Sequence, residues 1–425
     1  MPDAMTWLGG GRGLRAAAPP VLAVVAALLL AGPAASPAGA QPDGGVRRSN
    51  LQVTLWRTGV PGQTEALGEL VFSFQRRNPD VIVCLEWLDA RLAGEWLRRW
   101  IGGYRSHAPD VTVASDLWVW DHRAELLRMP DDLRAELMDG LEPGVLERGG
   151  GLPRGVPWAV ATPALYYRAD LLADAGLEPP TTFPELADCA RALAAPPERF
   201  GLGVPGSGAG GEELLHALAL ALAPPAGEDD AAAVEQSRLE RALALLVHMQ
   251  ADGALQPEVL TWGEAELVEA FAQGRLGMLI GRPWVAQMLR ARADQAPVAW
   301  AVAPLPTEEE GSGSVQVDWL FAFGDTDRAD NAQRFLRFMA ERESQRALAM
   351  LCGAPALRSL SGELARSSPW SGHIPALRRA GGLPLGRWDD LRQRLGGALA
   401  MALSGRMTPA QALRRPDEDA DAGTP

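Results

Sequence analysis

Leu51-Gln52-Val53-Thr54-Leu55-Trp56 alternates apolar and polar residues and reads as a β-strand, closed by Gly59, Pro61 and Gly62. Beyond that break, Thr64 to Arg77 sets Leu67, Leu70, Val71 and Phe74 on one helical stripe, which Asn78-Pro79 ends. Val81 to Trp87 reads as a second strand, Leu92 to Tyr104 as a second helix and Asp110 to Ala114 as a third strand. Strand–helix–strand–helix–strand order predicts an α/β lobe on a parallel sheet.

Further along, Leu165 to Arg168, Leu276 to Ile280, Trp300 to Val302 and Trp319 to Phe323 read as short strands. Thr182-Phe183-Pro184-Glu185 has the spacing of a capping box, as does Thr261-Trp262-Gly263-Glu264. Asp330 to Met350 reads as one long amphipathic helix and Leu391 to Leu403 as the last long one. At 425 residues the chain is about three times the common domain size of ~100–150, so two lobes are expected.

Composition narrows the function. A net charge of −13 argues against a general nucleic-acid binder, which needs a basic footprint. There is no lysine, so every cationic side chain other than histidine is an arginine. Cys84, Cys189 and Cys352 stand far apart with no C-x-x-C or Cys/His cluster, which argues against zinc and iron–sulfur sites; Cys84 and Cys189, inside apolar periodic segments, read as inert buried thiols. No metal or cofactor is expected. Residues 1–40 read as an export signal: Arg12 and Arg15, then the apolar run Val21 to Ala31, then Ala38-Gly39-Ala40, leaving Gln41 as the new N-terminus. The run is shorter than the ~20 residues a spanning helix needs. The 415–425 tail is acidic and reads as disordered.

Enzyme signatures are missing: no G-x-S-x-G, no H-E-x-x-H, no P-loop, and five histidines with no ligand spacing between them. Gly206 to Gly211 is glycine-rich, but no basic residue follows it, so it reads as a loop and not a phosphate cradle. A glycosidase carboxylate pair has no specific support in this sequence. The aromatic bias is unusual, with 14 Trp against 3 Tyr and 9 Phe. Ligands of open α/β sheets bind beyond the carboxyl ends of strands. There the chain has Trp56-Arg57, Ser115-Asp116-Leu117-Trp118, Gly281-Arg282-Pro283-Trp284 and Asp318-Trp319. Aromatic planes beside charged hydrogen-bonding groups suit a sugar, whose ring face stacks while its hydroxyls pair.

These residues sit within a longer likeness. Phe74 to Asp80 (FQRRNPD), Ala108-Pro109-Asp110-Val111, and Val156-Pro157-Trp158 followed by Ala164 to Leu172 (ALYYRADLL) appear in order. Ala175-Gly176, Pro179 to Thr182, Ala270 to Arg275 through Pro283-Trp284, Ala303 to Pro306 and Ser404 to Leu413 complete the set. In this order the chain resembles an ABC-transporter extracellular solute-binding protein, family 1, of the maltodextrin/multiple-sugar type. The resemblance implies a two-lobed periplasmic-binding-protein fold, α/β, with hinge crossings near Ala159–Thr162, Val298–Pro304 and Cys352–Ala356. Lobe 1 would be 49–160 plus 304–352, and lobe 2, richer in helix, 161–303 plus 353–414. It implies ligand contacts at Trp56, Arg57, Asp116, Trp118, Trp284, Trp319 and Trp388. It implies a monomer without catalysis that carries a carbohydrate in the periplasm to the membrane subunits of an ABC permease. Another polar solute, such as a glycerol-phosphate derivative, is the alternative that Arg57 and Arg282 favour; an exported glycosidase is the rival of another class. Two features depart from the family pattern. Ala161 replaces a polar or acidic residue, and Gly206 to Glu213 lacks an aromatic.

Overall fold

A computed structural model describes residues 48–58, 60–103, 107–148, 154–206, 209–293, 298–309, 311–351, 353–379 and 388–414, with the side chains of 209 and 388–390 excepted. The export signal, Cys352, the acidic tail and the side chain of Trp388 lie outside the described residues.

The strands are β1 (Ser49–Arg57), β2 (Val81–Asp89), β3 (Val111–Ser115), β4 (Val156–Ala161), β5 (Ala164–Arg168), β6 (Phe200–Gly203), β7 (Leu276–Gly281), β8 (Trp300–Pro304) and β9 (Gln316–Ala322). They form two sheets, β2-β1-β3-β9-β4 and β6-β7-β5-β8. β1 runs parallel to β2 and to β3, as the strand–helix alternation predicts. β9 then enters antiparallel between β3 and β4, bringing a late segment into the first sheet. The chain passes between the sheets at Thr162-Pro163 and again between Pro304 and Gln316. The pieces of sheet are therefore discontinuous in sequence, and the lobes share their connections.

Helices pack on both sheets, and β7, buried at every residue, reads as a continuous apolar run, whereas β1 alternates. Leu51, Val53 and Leu55 of β1 are buried in one core with Phe74, Phe335 and Phe338. Phe74 meets the two other rings edge-on, with centroids 5.1 and 5.6 Å away. The second sheet has a core on each face. Leu165, Met278 and Ile280 point to one, and Tyr166, Leu276 and Leu279 to the other.

Helix 370–378 links the lobes. Its Trp370, Ile374 and Leu377 belong to the first core, yet it lies along β8 of the second sheet. Gly372 makes that approach possible, because a Cβ there would stand 2.4 Å from Val302 Cγ1. The helices Trp388–Leu403 and Pro409–Leu413 instead pack with the second-lobe core.

Three local expectations are corrected. The segment read as one helix, Asp330 to Met350, is two, Ala329–Ala340 and Arg342–Leu351, because Glu341 is extended at ψ 147°. Thr182 does cap its helix reciprocally with Glu185. At Thr261, however, the helix starts only at Glu264, and Glu266 accepts from Gly263 N at 3.0 Å. Glu264 is thereby released from capping. Cys189 is buried, which pushes its thiol pKa up, while Cys84 is half-buried. Among the described residues no helix is long and apolar enough to cross a membrane.

Candidate functional site: the cleft between the two sheets

β7 is buried along its whole length and delivers the chain at Gly281 to the space between the lobes. A Cβ at Gly281 would lie 2.7 Å from Val285 Cγ2, so the turn into the next helix closes only around glycine. Arg282 and Trp284 follow at once. The Arg282 guanidinium forms an ion pair with Glu213 of helix 209–221 and stands 3.8 Å from Glu264. It also lies over the Trp284 ring, 5.2 Å from its centroid. The Trp284 indole Nε1 donates to Glu264 Oε2 at 2.8 Å. Lobe 2 thus offers an aromatic plane framed by two carboxylates and one guanidinium.

These charged side chains keep only 18 to 21% of their surface in contact with water. Burial pushes the Glu264 carboxyl up to about 7, against the opposing effect of the Trp284 bond. Burial also holds Arg282 down to about 10, with Asp318 acting the other way. Asp318 faces them from β9, opposite Ser115 and Ala159 in the sheet register. It is open to water yet enclosed by the walls. That enclosure, reinforced by the charge of Asp116, pushes its carboxyl up to about 6, partly offset by Arg282.

The pocket joining these walls has a volume of about 30 Å3 and is lined from lobe 1 by Ala161 and Gln316 and from lobe 2 by Glu213, Glu264 and Arg282. Both departures from the family pattern border it, since Glu213 closes the aromatic-free segment. At the other end of the cleft, Leu117 of lobe 1 packs against the second-lobe core.

The residues expected at the site take different places. Trp284 is half-buried beneath Arg282 and bonded to Glu264, behind the charged residues that line the pocket and not itself among them. Arg57 is exposed at the end of β1. Trp56 is buried, stacked on Trp100 with centroids 5.9 Å apart, and its indole donates to Val113 O at 2.6 Å. Trp319 is 1% exposed in the first core. Trp118 is half-buried and stacks on Phe321 at 5.3 Å. Asp116 is 3% exposed, with both oxygens engaged: Oδ1 accepts from Leu117 N at 2.8 Å, and Oδ2 from Arg148 Nε at 2.5 Å and Val317 N at 3.3 Å. The expectation that Asp116 meets a ligand gives way to internal pairing, because its strand-end position points it back at a buried arginine. Sequence reasoning passed over Glu213 and Glu264, and it named Asp318 beside Trp319 without carrying it into the set of ligand contacts. For Asp318 a signal existed: with Val317 and Trp319 facing the core, the two-residue period turns it to the other face.

The raised carboxyls carry a pH signature. Glu264 binds its proton more tightly folded than unfolded, from 4.5 up to about 7, and Asp318 acts in the same sense from 3.8 up to about 6. Their contribution to stability is therefore greatest at the acid end of these windows and is lost as pH rises through them. Urea midpoints measured from about pH 5 to about pH 8 should show this falling leg, and Glu264→Gln should flatten it. A leg unchanged in the variant would remove Glu264 from the account.

The model of the bacterial extracellular solute-binding protein family matches residues 93–346, more than half of the chain. The protein belongs to that family of extracellular binding proteins. A binding protein of Brucella abortus is 25% identical over 256 residues, 55% of this chain and 59% of the relative, so the match spans less than two thirds of that relative's length. Among solved structures, the GacH receptor of Streptomyces glaucescens, known unliganded and with acarbose, superposes with a TM-score of 0.73 at 22% identity. It covers 88% of this chain and 97% of its own. A Thermotoga lettingae ABC-transporter solute-binding protein bound to α-D-tagatose gives 0.73 at 18%, covering 86% and 96%. One from Agrobacterium vitis with D-mannitol gives 0.68 at 17%, covering 88% and 99%.

Proposed function

We propose that the protein is the periplasmic binding component of an ABC importer and captures a carbohydrate or polyol between its lobes for delivery to the permease. The observation that carries this reading is the cluster of Glu213, Glu264 and Arg282 lining the inter-lobe pocket, with the Trp284 ring against Arg282 and Glu264 and Asp318 acting on Arg282 from β9. A hydroxylated ring stacks on such a plane while its edge exchanges hydrogen bonds with charged groups. The sugar and polyol ligands of the structural neighbours support the same class. A phosphorylated solute fits less well, because the anion would have to displace carboxylates from Arg282 and then face Asp318.

A thermal-shift screen over sugars and polyols tests the reading. A ligand at a hundredfold excess over its Kd stabilises by about 2.7 kcal/mol, which in a chain of this size raises the midpoint by roughly 3 °C. Shifts confined to phosphorylated solutes would replace carbohydrate with that class. One observation favours a second reading, an exported glycosidase: the cleft brings two carboxyls of raised pKa, Glu264 and Asp318, to opposite walls. Chromogenic glycosides decide it, since only an enzyme turns them over; the binding reading expects no release.

A further inference from the structure

The pocket between the lobes, about 30 Å3, has room for roughly one or two waters, hence for one small headgroup and not for a sugar ring. Its polar side chains are Glu213, Glu264, Arg282, Ser314 and Gln316, so two carboxyls meet a single cation there. That guanidinium is already engaged. It pairs with Glu213 and stands 3.8 Å from Glu264, beyond hydrogen-bond reach. Glu264 receives two neutral donors instead, the Trp284 indole at 2.8 Å and the backbone amide of Arg282. Asp318 adds a third carboxyl, acting on the same guanidinium from β9 of lobe 1.

No neighbouring base makes up the difference. Arg148, which acts across on His216, is held by Asp116, and burial keeps His216 neutral with its pKa down at about 3. Three carboxyls therefore share one guanidinium where Glu213, Glu264 and Arg282 are largely kept from water and screening is weak. A neutral hydroxyl placed in the pocket leaves that deficit of positive charge as it stands. A phosphate or carboxylate deepens it. An ammonium has three donors and no acceptor, and the Glu264 carboxylate, the Ser314 hydroxyl and the Gln316 amide oxygen are acceptors around it. Its bond to a carboxylate is about twice as strong as a neutral one.

We propose that this pocket selects a carbohydrate or polyol bearing a primary amine, whose ammonium seats at Glu264 between the lobes. The inference rests on the carbohydrate reading above and narrows its ligand class to amino sugars and amino alditols. Burial at both carboxyls, and the Asp116 charge at Asp318, disfavour the ionised forms of Glu264 and Asp318; a bound ammonium restores them. Because Glu264 belongs to lobe 2 and Asp318 to lobe 1, the same charge attracts both walls.

D-glucosamine, D-galactosamine, D-mannosamine and D-glucamine, each titrated calorimetrically at about pH 7 beside its neutral parent and its N-acetyl form, test it. At least one amine should bind about tenfold or more tighter than its parent, and its N-acetyl form no tighter than the parent. Glu264→Gln keeps the shape and removes the charge, and should bring the amine-to-parent ratio to within about twofold. Asp318→Asn, at an exposed strand position, should cut the ratio about threefold or more, so the test survives if Glu264→Gln folds poorly. Neutral sugars or polyols that bind as tightly as their amines overturn the inference and leave the carbohydrate reading in place. So does an amine advantage that persists in both folded variants, since the ammonium then lies elsewhere. If neither amines nor parents bind, the carbohydrate reading itself falls and the inference with it.

Discussion

Asp116→Ala should lower the stability of the empty protein by about 3–5 kcal/mol, the cost of stranding one member of a buried ion pair. The partner left behind is Arg148, itself 4% exposed, and its guanidinium would face the site without the carboxylate that accepts from Nε. Two backbone amides, those of Leu117 and Val317, lose an acceptor in the same change. The effect should spread beyond lobe 1. Burial and the Arg148 charge together hold His216 of helix 209–221 down to about 3, so the guanidinium already acts on lobe 2. Urea unfolding with the midpoint and slope fitted separately makes the measurement. An unchanged midpoint with weakened ligand binding would return Asp116 to the list of ligand contacts.

Trp284→Ala should weaken carbohydrate binding by about 1–3 kcal/mol, a loss of roughly five- to 150-fold, through lost stacking and apolar burial. Because the ring is half-buried, the empty protein should lose less stability than the ~3–5 kcal/mol of a deleted core aromatic. Trp319, fully buried, supplies that comparison in the same molecule. Calorimetric titration beside apo melts reads both effects. A melt as damaged as that of Trp319→Ala, with affinity intact, would place Trp284 in the scaffold.

The frame of the molecule was open to reading from its pattern, whereas the cleft mostly was not. β1 and β3 announce themselves by alternating Leu and Val with Gln and Thr, β2 by its Val-Ile-Val start, and the breaks between them are proline and glycine. β6 escaped notice because it is four residues long and half glycine; Gly201 packs so closely on Ala190 O that a Cβ would stand 1.7 Å away. β4 carries Pro157 and slips register between Pro157 and Ala159, so it lacks a clean alternation. The tryptophans misled for a physical reason: an indole at a strand end serves equally well as core filling, and Trp56 and Trp319 are used that way. Glu264 looked like a cap from its spacing to Thr261, and only the start of the helix two residues later than a Thr261 cap would place it frees it for the cleft. Glu213 and Asp318 come together with Arg282 from segments far apart in the chain, a juxtaposition that no local pattern encodes.

The hinge contains a ready-made spectroscopic gauge. His373, on the helix 370–378 that touches both lobes, is fully buried; its Nδ1 lies 2.9 Å from Thr162 O and its Nε2 3.0 Å from the Tyr166 hydroxyl. A carbonyl only accepts, so Nδ1 holds the proton, and Nε2 shares the single Tyr166 proton with Arg282 O, 2.9 Å from that hydroxyl. Burial keeps the ring pKa down at about 4, so it stays neutral through the pH range in which Glu264 titrates. Its two nitrogens therefore have no titration of their own to report there. What moves their resonances is the spacing of Thr162 at a hinge crossing and of Arg282 at the cleft, which makes one imidazole a nuclear-magnetic ruler laid between the joint and the mouth of the protein.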